Sequence, residues 1–453
     1  MTVKRGAAAG KKKEAAKKIG IVSLGCAKNL VNSEQMMFLL DRAGFGLTGE
    51  TEGVDAVIVN TCAFIESAKM EAIETIIGLG KAKEEGRIGK IIVAGCLPQR
   101  YRDEIMTEMP EIDAVIGAGS FEDIVVAMKA AMAGKEKPAL FGDIDAPVSE
   151  TGRMITTSPA WTYLKIAEGC DNRCAYCVIP DIRGRFRSRP KEGIINEAGG
   201  YARSGIKELI LVAQDLTRYG LDLYGKKCLS ELLKDLCKID EFKWIRLHYL
   251  YPDEIDDELI DVIRESDKIV KYLDIPIQHI NDGILRKMNR RGTGDEIREL
   301  FRTLRGRIPG VVLRTSIIVG LPGEGEKEFE ELCGFLREAK IERAGVFAYS
   351  PEEGTAAALM KRPDSDVAAR RAELVTDIQS QIMDGFNESR IGSVASVLIE
   401  GREKGRFYGR SYAESPDVDG YITATGNCIS PGEFVNVRIT GVKNGEPAGV
   451  TDN

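Results

Sequence analysis

Glu168-Gly169-Cys170-Asp171-Asn172-Arg173-Cys174-Ala175-Tyr176-Cys177 sets three thiols close together, directly after the apolar run Tyr163-Leu164-Lys165-Ile166. The loop therefore falls at the carboxyl end of an expected strand. Further strand patterns follow at Glu208 to Ala213, Trp244 to Tyr249, Val270 to Ile277, Val311 to Gly320 and Ala344 to Tyr349, with amphipathic helical stretches between them. Strand-helix units repeated over this length predict a partial or full TIM-type (β/α) barrel, whose working face lies at the carboxyl ends of its strands. The C-x3-C-x2-C spacing also leaves an iron-sulfur cluster one ligand short. A four-iron cluster normally takes four thiolates, and one held by three keeps an iron open to a small chelating molecule. Zinc wants a fourth ligand, and no other Cys or His lies near in sequence. Plain buried thiols are the remaining alternative.

Working outward, 453 residues are too many for one ordinary core, and two or three domains are expected. The division read from composition is 1–18 as a basic, disordered tail, 19–150 and 151–387 as two α/β domains, and 388–453 as a small β domain. The tail carries Lys11, Lys12, Lys13, Lys17 and Lys18 but no apolar signal core. No apolar run reaches the ~18 residues that span a bilayer, so no membrane partner is expected. Ten cysteines without a secretory signal suit metal ligation in a reducing cytoplasm. Two histidines, His248 and His279, rule out a His-rich metal site. A net charge of −7 argues against indiscriminate nucleic-acid binding, and no specific DNA partner is expected.

The 19–150 segment repeats a unit: a β-branched run, a cysteine, a helical pattern. The runs end at Cys26, Cys62 and Cys96. Such runs alternating with helices predict a parallel sheet covered on both faces, which binds ligands at the carboxyl ends of its strands. One such cysteine alone reads as core; the same place in three successive units predicts a second three-thiol site. In 388–453, short β-rich pieces at Val394 to Ile399, Tyr421 to Thr423 and Phe434 to Ile439, divided by Pro431-Gly432 and Asn444-Gly445, predict a small antiparallel barrel.

The cysteine loop, down to Tyr176 before its third thiol, resembles the radical S-adenosylmethionine superfamily. With Gly25-Cys26-Ala27-Lys28-Asn29, Asn60-Thr61-Cys62 and Gly95-Cys96-Leu97 in order, nearly the whole chain resembles the methylthiotransferases of that superfamily, which end in a TRAM barrel. The resemblance implies two 4Fe-4S clusters: a radical-generating one on Cys170, Cys174 and Cys177, and one on Cys26, Cys62 and Cys96 bearing the sulfur to be inserted. It implies two S-adenosyl-L-methionine molecules per turnover, one giving the methyl group and one the 5′-deoxyadenosyl radical. Stretches such as His248-Tyr249-Leu250-Tyr251-Pro252, Asp274-Ile275-Pro276-Ile277-Gln278-His279 and Gly409-Arg410-Ser411-Tyr412-Ala413-Glu414-Ser415-Pro416-Asp417-Val418-Asp419-Gly420 resemble the RimO branch. That branch modifies the β-carbon of an aspartate in the twelfth small-subunit ribosomal protein. The alternatives are the tRNA-adenosine branch and a non-enzymatic iron-sulfur electron carrier or scaffold.

From Ile391 on, acidic residues outnumber basic ones, which disfavours an RNA grip and suits TRAM-assisted docking of a basic ribosomal protein. An external electron donor such as flavodoxin or ferredoxin is implied, and the sulfur donor is not named by any motif. Tyr176, Gly199, Gly200, Gln214, Gln278 and Gly320 are the candidate cofactor contacts, with His279 beside them. The turn Gly320-Leu321-Pro322-Gly323-Glu324 would shape the cofactor pocket, and Arg185, Arg187 and Arg189 are candidates to meet a substrate carboxylate. Cys228, Cys237, Cys333 and Cys428 have no ligand spacing.

Overall fold

The computed structural model describes residues 16–134, 136–426 and 429–452, the side chain of Asp103 excepted. Its first sheet is all parallel: β1 Lys18–Ser23, β2 Gly46–Thr48, β3 Val54–Thr61, β4 Ile88–Gly95, β5 Ala114–Gly117 and β6 Ala139–Leu140, in the order β2-β1-β3-β4-β5-β6. The β-branched runs of β3 and β4 are buried on both faces. Val57, Val59, Ile91 and Val93 pack with Ala72, Ile76 and Leu97 on one side, and Ile58 and Ile92 with Met36, Leu40 and Met128 on the other. Register aligns Ser23 with Asn60 and Asn60 with Ala94, so Cys26, Cys62 and Cys96 emerge at one rim. Lys17 pairs with Asp55 at 2.9 Å and Lys18 opens β1, so these two residues belong to the sheet rather than to the expected tail. Residues 1–15 of that expected tail, like Cys428, lie outside the described residues.

The central sheet starts with β7 Trp161–Lys165. A short antiparallel ribbon, β8 Ala167–Glu168 with β9 Arg187–Ser188, then brackets the cysteine loop. The sheet continues through β10 Glu208–Val212, β11 Trp244–Leu247, β12 Ile269–Asp274, β13 Val312–Val319 and β14 Arg343–Ala348. These six parallel strands pair in sequence order from β7 to β14, which makes a partial barrel with two open edges. Leu164, Leu209, Leu211, Leu273 and Leu313 join the helices in the main core.

The terminal strands β15 Val394–Glu403, β16 Arg406–Arg410, β17 Ile422–Thr425, β18 Phe434–Lys443 and β19 Glu446–Thr451 close into a barrel. Its pairing corrects the antiparallel expectation at one seam, because β17 and β19 run parallel.

This small barrel seals the base of the larger one. Trp161, Glu208, Trp244 and Arg343, which open β7, β10, β11 and β14, all touch it: Trp161 donates to Glu400 at 3.1 Å, Trp244 stacks edge-on with Phe434, and Glu208 and Arg343 pair with Arg410 and Glu414. The Arg410 to Gly420 connection enters the barrel, where Ser415 meets His248 at 2.8 Å and Asp417 and Asp419 accept from the hydroxyls of Tyr163 and Tyr272. Glu400 and Glu414 are paired with Arg410 and Arg390. Part of the acidic excess read from composition is therefore engaged in contacts within the molecule, although Asp417 stays exposed. A charge count cannot tell which way the side chains point.

Candidate active site

At the opposite end, the carboxyl ends of the strands form a mouth covered by the first domain. Cys26 is the N-cap of the helix Ala27–Arg42, Cys62 follows β3, and Cys96 opens the helix after β4. Polar side chains stitch these turns: Asn29 donates to the carbonyls of Leu24 (2.8 Å) and Thr61 (3.1 Å), Asn60 to the carbonyl of Asn29 (2.8 Å), and Thr61 to that of Ala94 (2.7 Å). Gly25 has φ +86°, and a Cβ there would sit 2.6 Å from that of Cys62. Only glycine brings the first turn so close to the second. The thiols are near enough to act on one another. Burial, then the neighbouring Cys96 and Cys26, push Cys62 up to about 12. Burial also pushes Cys26 up, but Lys28 and Arg183 outweigh it and hold that thiol below its ordinary value.

In the barrel loop, burial raises Cys170 to about 11, helped by Asp215 and Cys174, and raises Cys177 further. The backbone N–H of Ile179 donates to the Cys177 sulfur at 3.5 Å. Arg290 brings its guanidinium 3.8 Å from the Cys174 sulfur while donating to the Tyr176 hydroxyl (3.2 Å) and the Pro276 carbonyl (2.6 Å). Positive charge beside thiolates and N–H donors to sulfur are what an anionic cluster requires. Among the described residues no group of three or more His, Cys, Asp or Glu forms a site for a single metal ion. A four-iron cage differs in taking each thiolate on a separate iron, so its ligands surround a cage instead of meeting at a point. The donor sets fit two such cages.

One residue joins the two sets. The short helix Ile179–Arg183, which follows Cys177, delivers Arg183 into the first domain. There its guanidinium donates to Asn29 and Asn32 at 2.8 Å and to the Cys96 sulfur at 3.2 Å, and it lies 3.5 Å from Glu168. Although buried, Glu168 is held down to about 2 by Lys165, Arg183 and Gln214. Arg183 was not read from sequence; its signal was a basic residue closing the turn that starts at the third thiol.

The other candidates fare differently. Gln214 stands at the end of β10 and donates to Glu168 at 2.6 Å, while its buried carbonyl oxygen has no partner. That leaves a buried acceptor beyond the end of β10. Gln278, φ +69°, extends the sheet by pairing with Ser316 and Ile318 at 2.9 Å. Tyr176 packs with Met288, Leu321 and Tyr349, and its hydroxyl supports Arg290. Gly199 and Gly200 lie inside the helix Lys191–Arg203, where a Cβ would meet only the Arg203 guanidinium. They do not approach the strand ends, because Ile194, Ala198, Tyr201 and Ala202 hold the helix on the core. Gly320, φ +78°, is required by close packing, since a Cβ would clash with that of Ala368. His279 is fully buried, its Nδ1 accepting from Asn281 at 3.0 Å and its Nε2 3.4 Å from Glu324, which Arg371 already pairs at 2.8 Å. Arg189 is spent on Glu150 and Glu197, and Arg187 on Asp145 and the carbonyls of Arg183 and Arg185; Arg185 is exposed. Arg187 and Arg189 are therefore not free for a substrate carboxylate at the mouth.

Comparison with known proteins places these features in context. Residues 164–336 match the family model of the radical SAM superfamily, 18–117 that described as uncharacterized protein family UPF0004, and 391–446 that of the TRAM domain. The chain is 48% identical to the "Ribosomal protein uS12 methylthiotransferase RimO" of Caldanaerobacter subterraneus, over 93% of this chain and 97% of that protein. It is likewise 48% identical to the protein of the same description from Acetivibrio thermocellus, over 94% and 96%. Among solved structures, the radical S-adenosylmethionine methyltransferase TsrM of Kitasatospora setae, with cobalamin and a [4Fe-4S] cluster bound, shares the fold with a TM-score of 0.54 at 14% identity, covering 74% of this chain and 77% of that one.

Proposed function

The chain belongs to the RimO family of ribosomal protein uS12 methylthiotransferases, and we propose that it adds a methylthio group to the β-carbon of an aspartate of uS12, the twelfth small-subunit ribosomal protein. Cys170, Cys174 and Cys177 would hold the radical-generating 4Fe-4S cluster with S-adenosyl-L-methionine, and Cys26, Cys62 and Cys96 the sulfur-bearing one. When bound, these groups supply a carbon-centred radical that removes hydrogen and the methylthio group that replaces it, with two S-adenosyl-L-methionine consumed per turnover. An unactivated C–H bond is beyond the reach of an ordinary general base, so radical chemistry matches this target.

The observation that carries the reading is the reach of Arg183 from the loop of one cysteine trio to Cys96 of the other. Both sites then serve one mouth. Within it, Arg183 and Arg290 balance thiolate charge, Gln214 offers a buried acceptor, and the terminal barrel closes the base against water. Approach of uS12 to the mouth fits this arrangement, with the terminal barrel assisting in docking. Electrons from a flavodoxin or ferredoxin and a separate sulfur donor complete the reaction. None of the helices among the described residues is long and apolar enough to cross a membrane, in keeping with a substrate made in the cytoplasm.

Mass spectrometry of uS12 and nucleoside analysis of tRNA from a deletion strain test the assignment. Unmodified uS12 with normal tRNA is expected; loss of a methylthioadenosine with uS12 unaffected overturns it. Reconstituted protein given S-adenosyl-L-methionine and dithionite should release 5′-deoxyadenosine, which an electron carrier would not.

A further inference from the structure

Taking a charge out of water is costly unless an opposite charge goes with it. The buried cations of this chain obey that rule almost without exception: Arg246 and Arg410 share Glu208, Lys165 faces Glu168, and Arg371 faces Glu324. Among the described residues, two buried cations have no carboxylate. Arg290 is one, and its donors are taken by the Cys174 sulfur, the Tyr176 hydroxyl and the Pro276 carbonyl. Lys28 is the other. It is 8% exposed, and among the described residues no Asp or Glu lies within ion-pairing distance of it.

Its place in the fold gives this vacancy a use. Lys28 lies in the first turn of the helix Ala27–Arg42, two residues after Cys26, and that turn holds no acidic residue. The helix end adds its own partial positive charge. Across the mouth, Tyr249 follows β11 with φ +65°, a conformation that a bulky residue keeps only where its surroundings impose it. The aromatic ring so placed lies 3.6 Å, centroid to nitrogen, from the Lys28 ammonium. A ring face steadies a cation buried beside it. The result is a desolvated ammonium held between the first cysteine trio and the barrel mouth, with the Tyr249 side chain and the Cys26 thiol as its neighbours and, among the described residues, no carboxylate against it.

We infer that Lys28 is a substrate-binding residue whose ammonium receives the side-chain carboxylate of the target aspartate. The inference rests on the proposed substrate and goes beyond it by naming the group that selects aspartate. In an aspartate side chain the carboxylate carbon is bonded directly to the β-carbon, so anchoring one positions the other. Asparagine has the same shape but no charge, and a buried ammonium discriminates against it.

The test is equilibrium binding of purified uS12, and of uS12 with the target aspartate changed to asparagine, to the anaerobically reconstituted full chain, read by fluorescence anisotropy at fixed ionic strength. Wild type is expected to favour the aspartate form by about tenfold. Lys28→Met should bind the two forms alike, and Lys28→Arg should keep the preference. A wild type that binds both forms equally overturns the inference. So does a Lys28→Met protein that retains the preference, whatever its iron content, because Lys28 would then be a counter-ion of the neighbouring cluster. Should Lys28→Met not fold, the wild-type and Lys28→Arg comparisons decide alone. A wrong substrate assignment looks different: wild type would bind neither form of uS12 and would bind tRNA.

Discussion

The two ends of the central barrel handle buried charge in opposite ways. At the base, Glu208, Arg246, Arg410 and Glu400 form a chain of ion pairs, and Glu414 sits between Arg343 and Arg390. At the mouth, Lys28 and Arg290 have no carboxylate, and the Gln214 carbonyl oxygen has no donor. Satisfied polar groups hold a structure in one state, whereas unsatisfied ones are kept at a cost and mark where a ligand completes the site. The base is architecture and the mouth is chemistry, although both are lined by the same six strands.

The largest effect is expected at the base. Glu208→Ala would leave two buried guanidiniums short of a partner and should cost about 3–5 kcal/mol, read by denaturant unfolding. The folded fraction of that variant should still load both clusters, since Glu208 lies at the far end of the strands. Acid tests the same pairs. Although burial alone would raise them, their arginine partners hold Glu208 and Glu414 below the usual carboxylate value of 4.5. Carboxylates depressed in the folded state stabilise it fully above the unfolded value, and that stabilisation is lost as pH falls through the lower, folded value. Thermal stability should therefore drop as pH is lowered below about 4.5, and Glu208→Gln should show a shallower drop.

A smaller effect with a chemical signature is expected at the mouth. Gly25→Ala sets a Cβ 2.6 Å from that of Cys62 at a φ of +86°. It should cost about 1–3 kcal/mol and release iron from the first domain while the barrel loop keeps its own. The smallest effect carries the opposite sign. Gly199→Ala, inside a helix and clear of the mouth, should stabilise the protein by up to about 1 kcal/mol and leave methylthiotransfer intact. Loss of activity there would return that glycine to the cofactor site.

Much of this contrast was legible in the sequence, and the rest was hidden for physical reasons. The cysteine loop is local, so its spacing alone announced a cluster. Cys26, Cys62 and Cys96 were read because strand period and register carry residues after three neighbouring strands to one rim. The barrel strands β10 to β14 fell where their β-branched runs indicated. By contrast, β5, β16 and β19 are short or interrupted by Gly and Pro, which weakens any periodic signal. Gly199-Gly200 resembles the glycines that approach the cofactor in radical barrels, with helix packing as the alternative, and the apolar residues around them keep the helix intact. The charge balance from Ile391 on suggested docking of a basic partner, but composition counts charges without showing which are paired within the molecule. Lys28 was visible in its motif, yet only burial reveals that it has no carboxylate.

Iron and labile sulfide, counted together with Mössbauer spectra on anaerobically reconstituted wild type, Cys62→Ala and Cys174→Ala, test the two-cluster arrangement most directly. Wild type should hold about eight irons, and each variant about half, with the surviving cluster differing between them. Iron content in Cys62→Ala equal to that of wild type would contradict it, for the first domain would then hold no cluster and the inserted sulfur would have no site.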